Sequence, residues 1–74
     1  MGTETFPQRL RRMRRRRGLS CSALSELCGL SINTIRCYEK GVFRPGADAL
    51  ISIAEFFEVS TDYILCRTDD PRTL

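Results

Sequence analysis

The sequence predicts an all-α domain of five short helices, and three observations carry that reading. No segment alternates apolar and polar residues strictly enough for a strand. Breaks at Gly18, Gly29, Gly41 and the Arg44-Pro45-Gly46 stretch cut the chain into helix-length pieces. Leu50, Ile53, Ala54 and Phe57 follow the i, i+3, i+4, i+7 spacing of an amphipathic helix.

Helix one is predicted over roughly Phe6–Arg17. Thr5 and Gln8 fit a capping box, and Pro7 falls in the first turn, where its missing N–H matters little. Phe6, Leu10 and Met13 share one face, which Arg14 flanks. Helix two covers Ser20–Cys28, with Ser20 as N-cap, Leu24 and Cys28 inward, and Gly29 placed to end it in the left-handed region. Helix three covers Ile32–Glu39, capped by Ser31. Helix four covers Ala47–Phe57, and a last short helix covers Thr61–Cys66 behind Ser60. The domain is therefore 6–66, with a helix-turn-helix at about 20–39 and loose ends at 1–5 and 67–74.

A chain of 74 residues makes one domain. At this size only about 60% of the unfolded surface is buried, so the core is small and self-association is expected to help it. There is no run of about 18 apolar residues for a membrane span, and the polar N-terminus lacks a signal peptide's apolar stretch. A cytoplasmic location is the expectation. The net charge of +3 hides a polarity. Residues 1–44 hold ten Lys and Arg against Glu4, Glu26 and Glu39, a balance of +7; residues 45–74 hold Arg67 and Arg72 against six acids, a balance of −4. Seven arginines lie between Arg9 and Arg17. One face of the molecule is thus expected to meet a polyanion, the plain alternative being a solvated basic helix.

The chemistry available is narrow. There is no His, no Gly-rich phosphate loop and no paired arrangement of carboxylates, so catalysis is not expected. Cys21, Cys28, Cys37 and Cys66 form no CxxC pair, and neither a zinc site nor a disulfide framework is expected. No cofactor is called for. Helix three is more informative. At about 100° per residue, with Ile35 at zero, Ile35 and Tyr38 set an inward direction near 330°. Asn33 then falls near 160°, Arg36 near 100°, Cys37 near 200° and Lys40 near 140°, all on the outward side. Ile32 sits at the tip. Such a helix fits a major groove about 12 Å wide, where Asn pairs with adenine, Arg with guanine, and an aliphatic side chain meets a thymine methyl.

With these residues in place, the sequence resembles the lambda-repressor/Cro-like, or XRE-type, helix-turn-helix domain family. The resemblance runs through "RLRRMRRRRGLS", "ALSELCGLSINTIRCYEKG" and "RPGADALISIAEFFEVSTDYIL", about three quarters of the chain. It implies a five-helix bundle that binds duplex DNA as a homodimer on a pseudo-palindromic operator, with half-sites about one helical turn apart. It implies base contacts from Ile32, Asn33, Arg36 and Cys37. It further implies phosphate contacts from Cys21, Ser22, Thr34, Lys40, Arg44 and Arg14, and an ion pair between Arg14 and Glu39. Three positions depart from the family pattern. Cys21 stands where Gln is common and lacks that amide's hydrogen bonds; Ser25 replaces a usual Ala, and Leu27 a usual polar residue.

The function implied is that of a sequence-specific DNA-binding transcriptional regulator, of the repressor kind. The rival is a protein-interaction module, such as an antitoxin-like partner that binds a second protein as well as DNA. Its apolar surface would come from Phe56, Ile64, Leu65 or Leu27. Membrane-surface binding by the Arg-rich helix is disfavoured, because Leu10 and Met13 are needed in the core. Cys28 and Cys66 are expected to pack. Cys21 and Cys37 are expected on the DNA side, where Cys21's place at a helix N-terminus near arginines suits a reactive thiolate; redox control of binding is the lesser reading, since cysteine-rich chains are common without any sensing.

Overall fold

The computed structural model describes residues 3–72. Five helices follow one another: α1 (Phe6–Arg16), α2 (Cys21–Cys28), α3 (Ile32–Lys40), α4 (Ala47–Phe57) and α5 (Thr61–Ile64). No strand is present among the described residues. The all-α, five-helix bundle is the expected one. Helices α1 and α2 are each one residue shorter than the sequence suggests, α5 is two residues shorter, and α3 runs one residue longer.

Local chemistry sets most of these boundaries. The hydroxyls of Ser20, Ser31 and Ser60 accept the backbone N–H groups of Ala23, Thr34 and Tyr63 at 3.0, 3.1 and 3.0 Å. Each satisfies a donor that the first helical turn leaves orphaned. Thr5 N–H donates to Gln8 Oε1 at 3.0 Å at the head of α1. Arg14, Arg15 and Arg16 fill its last turn, where cations meet the negative end of the helix dipole. Gly29 and Gly41 end α2 and α3 at φ 70° and 74°, a region that costs a side-chain-bearing residue about 1–2 kcal/mol.

Helix α4 ends in the same way without a glycine. Glu58 holds φ 57°, and Val59 N–H reaches back to the Ala54 carbonyl at 3.0 Å. Glu58→Gly removes the strain on Cβ at an exposed position. It is expected to raise stability by up to about 1 kcal/mol, less the entropy that glycine adds to the unfolded chain. A lowered midpoint in chemical denaturation would refute that account of the cap.

The core is formed by inward stripes of all five helices. Phe6, Leu10 and Met13 come from α1, Leu24 and Cys28 from α2, Ile35 and Tyr38 from α3, Ile53, Ala54 and Phe57 from α4, and Ile64 from α5. Leu10, Leu24, Ile35, Ile53 and Ile64 are fully buried. Helix α2 packs on α3 and α4, α1 lies across α3, and α5 closes against α1 and α4. Ser25 is buried in α2, its hydroxyl satisfied by the Ser22 carbonyl at 2.7 Å. Ile64 is core rather than spare surface, since α5 turns it inward; Phe56 and Leu65 are half-buried. Among the described residues, the large apolar side chains left exposed are Leu27, Val42, Phe43 and Ile51.

The ends of the domain meet at an arginine that the sequence reading passed over. Arg9 is 4% exposed. Its Nε donates to Glu4 Oε1 at 2.8 Å, Nη1 to the carbonyls of Tyr63 and Thr68 at 2.7 and 2.9 Å, and Nη2 to Asp69 at 2.8 Å. The guanidinium also lies 4.3 Å above the Tyr63 ring centre. Its pKa is raised, because the bonds to Asp69 and Glu4 outweigh the effect of burial. Ser60 N–H donates to the Pro71 carbonyl, so segment 67–72, read from sequence as a loose tail, lies along α1 and α5 in the structure. At the other end, read from sequence as loose over 1–5, Glu4 pairs with Arg9 and Arg12 and Thr5 caps α1; residues 1–2 and 73–74 fall outside the described residues.

Glu4 completes this cluster by accepting from Arg12 Nε at 2.7 Å as well. Arg12, and with it Arg9, holds its carboxyl well below the ordinary value of 4.5, at about 2. Between those values the folded state binds fewer protons than the unfolded chain, so Glu4 adds stability above pH 4.5 that is lost as pH falls through 2. The expected result is a steeper fall in melting temperature over that window for the native chain than for Glu4→Gln. Parallel curves from pH 6 to pH 2 would contradict it.

Candidate nucleic-acid interface

Helix α3 presents two unlike sides. Ile35 and Tyr38 are buried on one, while Asn33, Arg36 and Lys40 are exposed on the other. Ile32 and Cys37 are half-buried at its flanks. The start of the helix is doubly held, because the Ser31 and Thr34 hydroxyls also bond each other at 2.8 Å. Tyr38 anchors the far end against Phe6 and Phe43 in edge-on contacts at 6.1 and 5.5 Å between ring centres. Burial raises the pKa of its phenol. The outward side chains therefore stand on a rigid support.

Arg14 and Glu39 tie α1 to α3. Arg14 Nε and Nη2 donate to the two oxygens of Glu39 at 2.6 and 2.9 Å, and Nη1 donates to the Leu19 carbonyl at 2.7 Å. The Glu39 side chain is 4% exposed and that of Arg14 is 12%. The hydrogen bond to Glu39 raises the Arg14 pKa despite its burial. This two-point pair fixes guanidinium and carboxylate in one plane. With the bond to Leu19 it occupies three of Arg14's five N–H donors and leaves two for an anion.

Beside the pair, a cleft of about 440 Å³ opens between α1, the start of α2 and the end of α3. It is lined by Arg11, Arg14, Arg15, Cys21, Arg36, Glu39 and Lys40. Five cations thus surround one carboxylate, which Arg14 already holds. The cleft brings together five of the residues singled out in the sequence, Arg14, Cys21, Arg36, Glu39 and Lys40, and adds Arg11 and Arg15, which were not. Ile32, Asn33, Cys37, Ser22, Thr34 and Arg44 lie outside its lining. Ser22 is exposed on the first turn of α2, Arg44 is exposed in the loop after α3, and Thr34 is half-buried in its cap bond. The first amides of α2, those of Cys21 and Ser22, have no intrahelical acceptor available to them.

The run of arginines in α1 is not a uniform basic surface. Arg9 and Arg12 are paired with Glu4, and Arg14 with Glu39. Arg17 lies over the Phe56 and Phe57 rings at 5.2 and 5.3 Å. Among the described residues, Arg15 and Arg16 have no ion-pair partner. A hollow of about 460 Å³ runs between Gln8, Arg11, Arg12, Arg15 and Arg16, but all five belong to α1. It is a gap between long side chains, not a pocket that the fold builds. All four cysteines are free. Burial pushes the thiols of Cys28 and Cys66 up, away from the reactive thiolate. Cys21 and Cys37 are half-buried.

A capped helix, a glycine turn and a second capped helix with a polar outer face define a helix-turn-helix domain. The chain belongs to that family, whose helix-turn-helix domain model matches residues 8–69. It is 39% identical over 66 residues, 89% of this chain and 59% of the relative, to YobD of Bacillus subtilis (strain 168), an uncharacterized HTH-type transcriptional regulator. It is 31% identical over 65 residues, 88% of this chain and 56% of the relative, to the HTH-type transcriptional regulator AnsR of the same organism. The chain therefore spans a little under three fifths of the curated relatives it matches. Among solved structures, the P22 c2 repressor protein in complex with a synthetic operator superposes with a TM-score of 0.81 at 25% identity, over 85% of this chain and 96% of that one. The N-terminal DNA binding domain of SinR from Bacillus subtilis shares the fold, with a TM-score of 0.76 at 24% identity over 81% of this chain and 88% of that one.

Proposed function

We propose that this chain is the DNA-binding part of a transcriptional regulator of the repressor kind, reading base edges of duplex DNA with α3. The observation that carries this is the exposed set Asn33, Arg36 and Lys40 on a helix anchored by Ile35 and Tyr38, bordering a cleft lined by cations. Bidentate donors on a rigid helix suit the major groove. Cations and open helix-start amides suit the phosphates beside it. The regulator names of YobD and AnsR, and the operator held by the P22 c2 repressor, support the same reading.

In this reading Ile32, Asn33, Arg36 and Cys37 meet bases. Cys21, Ser22, Thr34, Lys40 and Arg44 hold phosphates, with Arg14 limited to its two spare donors. The chain acts as a homodimer on an inverted repeat, and the exposed Leu27, Val42, Phe43 and Ile51 are the apolar side chains a second protein surface would cover. No helix of the described residues is long and apolar enough to cross a membrane, in keeping with work in the cytoplasm.

The test is selection of bound duplexes from a random pool under reducing conditions. An enriched inverted repeat is the expected result. Recovery of a pool with no base preference would overturn the base-reading role of α3.

A further inference from the structure

The cleft between α1 and α3 holds more positive charge than the fold uses. Arg14 takes both oxygens of Glu39. Arg11 reaches the same residue only at 3.4 Å, to Oε1 and to the carbonyl, beyond the usual hydrogen-bond distance, and its side chain is 45% exposed. Arg15 lies one turn further on the same face of α1 and has no carboxylate partner among the described residues. Arg36 and Lys40 border the cleft from α3. Like charges four residues apart on a helix repel. Arg15, Arg36 and Lys40, which meet no carboxylate among the described residues, and Arg11, which only shares Glu39 with Arg14, therefore work against the folded chain, and a polyanion laid across the cleft relieves them.

Resting on the DNA-binding reading above, which takes from α1 only the two spare donors of Arg14, we propose that the phosphate contact extends along α1: Arg11 and Arg15 bind phosphates of the duplex from the wall of the cleft opposite Arg36 and Lys40. They hold the backbone and do not read bases. Arg11 moves from its long contact with Glu39 to the phosphate, while Arg14 keeps the carboxylate. Arg16, on the same helix but outside the cleft lining, takes no part.

The experiment uses the enriched duplex and the full chain at several salt concentrations between 50 and 200 mM. Arg11→Gln, Arg15→Gln and Arg16→Gln each remove one charge, so Arg16→Gln controls for net charge. The expected result is a salt slope about 0.9 shallower for Arg11→Gln and for Arg15→Gln, which is about a three-fold smaller loss of affinity across that range per contact. Arg16→Gln stays near the native slope, and the ranking of bases is unchanged in all three. Arg15→Gln also melts no lower than the native chain at low salt, where a structural role for Arg15 would lower its melting temperature. Equal slopes for all three variants, with native binding intact, would overturn the role of Arg11 and Arg15 and leave the DNA reading standing. Absence of duplex binding by the native chain would overturn both.

Discussion

Glu39→Ala is expected to lower stability by about 3 kcal/mol, because it leaves the mostly buried Arg14 guanidinium without its carboxylate. A domain of 74 residues has only about 4–11 kcal/mol in all. In thermal denaturation that loss lowers the melting temperature by more than about 12 °C. The cause can be separated from loss of packing. If the penalty lies in the unpaired charge, Arg14→Met combined with Glu39→Leu recovers much of the loss, since an apolar pair of similar volume has no charge to desolvate. A fall of less than about 2 °C for the single variant, or a double variant worse than either single one, would show that the pair does not hold α1 to α3.

Arg36→Ala and Asn33→Ala are expected to leave the fold intact, since both side chains are exposed and neither makes a hydrogen bond within the described structure. Their effect falls on recognition. Each loses about 1–3 kcal/mol of discrimination at one base pair of each half-site, or roughly ten- to a hundred-fold, while other positions keep their preference. A phosphate contact behaves differently: its removal weakens all sequences alike and makes the salt slope shallower. Position-by-position affinities therefore distinguish Arg36, read as a base contact, from Lys40, read as a phosphate contact, although the two lie about one turn apart on the same helix.

The parts of this molecule visible in its sequence are those governed by local chemistry. Ser20, Ser31 and Ser60 mark helix starts because a hydroxyl at that point finds an N–H three residues on. Gly29 and Gly41 mark ends because the left-handed region suits them. The limits of α4 follow from its apolar spacing. Cys66 adopts a positive φ without a glycine to announce it, so α5 ends before the limit its sequence suggests.

Arg9 was missed for a different reason. It sits three residues after Phe6 and four before Met13, so the helical period alone placed it inward. It stands in a run with six further arginines up to Arg17, and such a run reads as a solvated basic face. Its partner Asp69 lies 60 residues away, and only the tertiary fold shows that the charge is met. The cleft repeats the lesson. Arg36 and Lys40 were legible from the outer face of α3, but Arg11 and Arg15 join them only because α1 crosses α3 there.

The claim at the centre of this account is that α3 reads base edges. The most direct test is a double-mutant cycle between Arg36 and a base pair. Dissociation constants are measured for the native chain and Arg36→Ala, each on the enriched duplex and on one altered at a single pair, over the positions of a half-site. The account predicts one position where the native chain discriminates roughly ten-fold or more and Arg36→Ala does not, a coupling of about 1–3 kcal/mol. If the two proteins discriminate equally at every position, Arg36 contacts no base, and the outer face of α3 is not the surface that reads DNA.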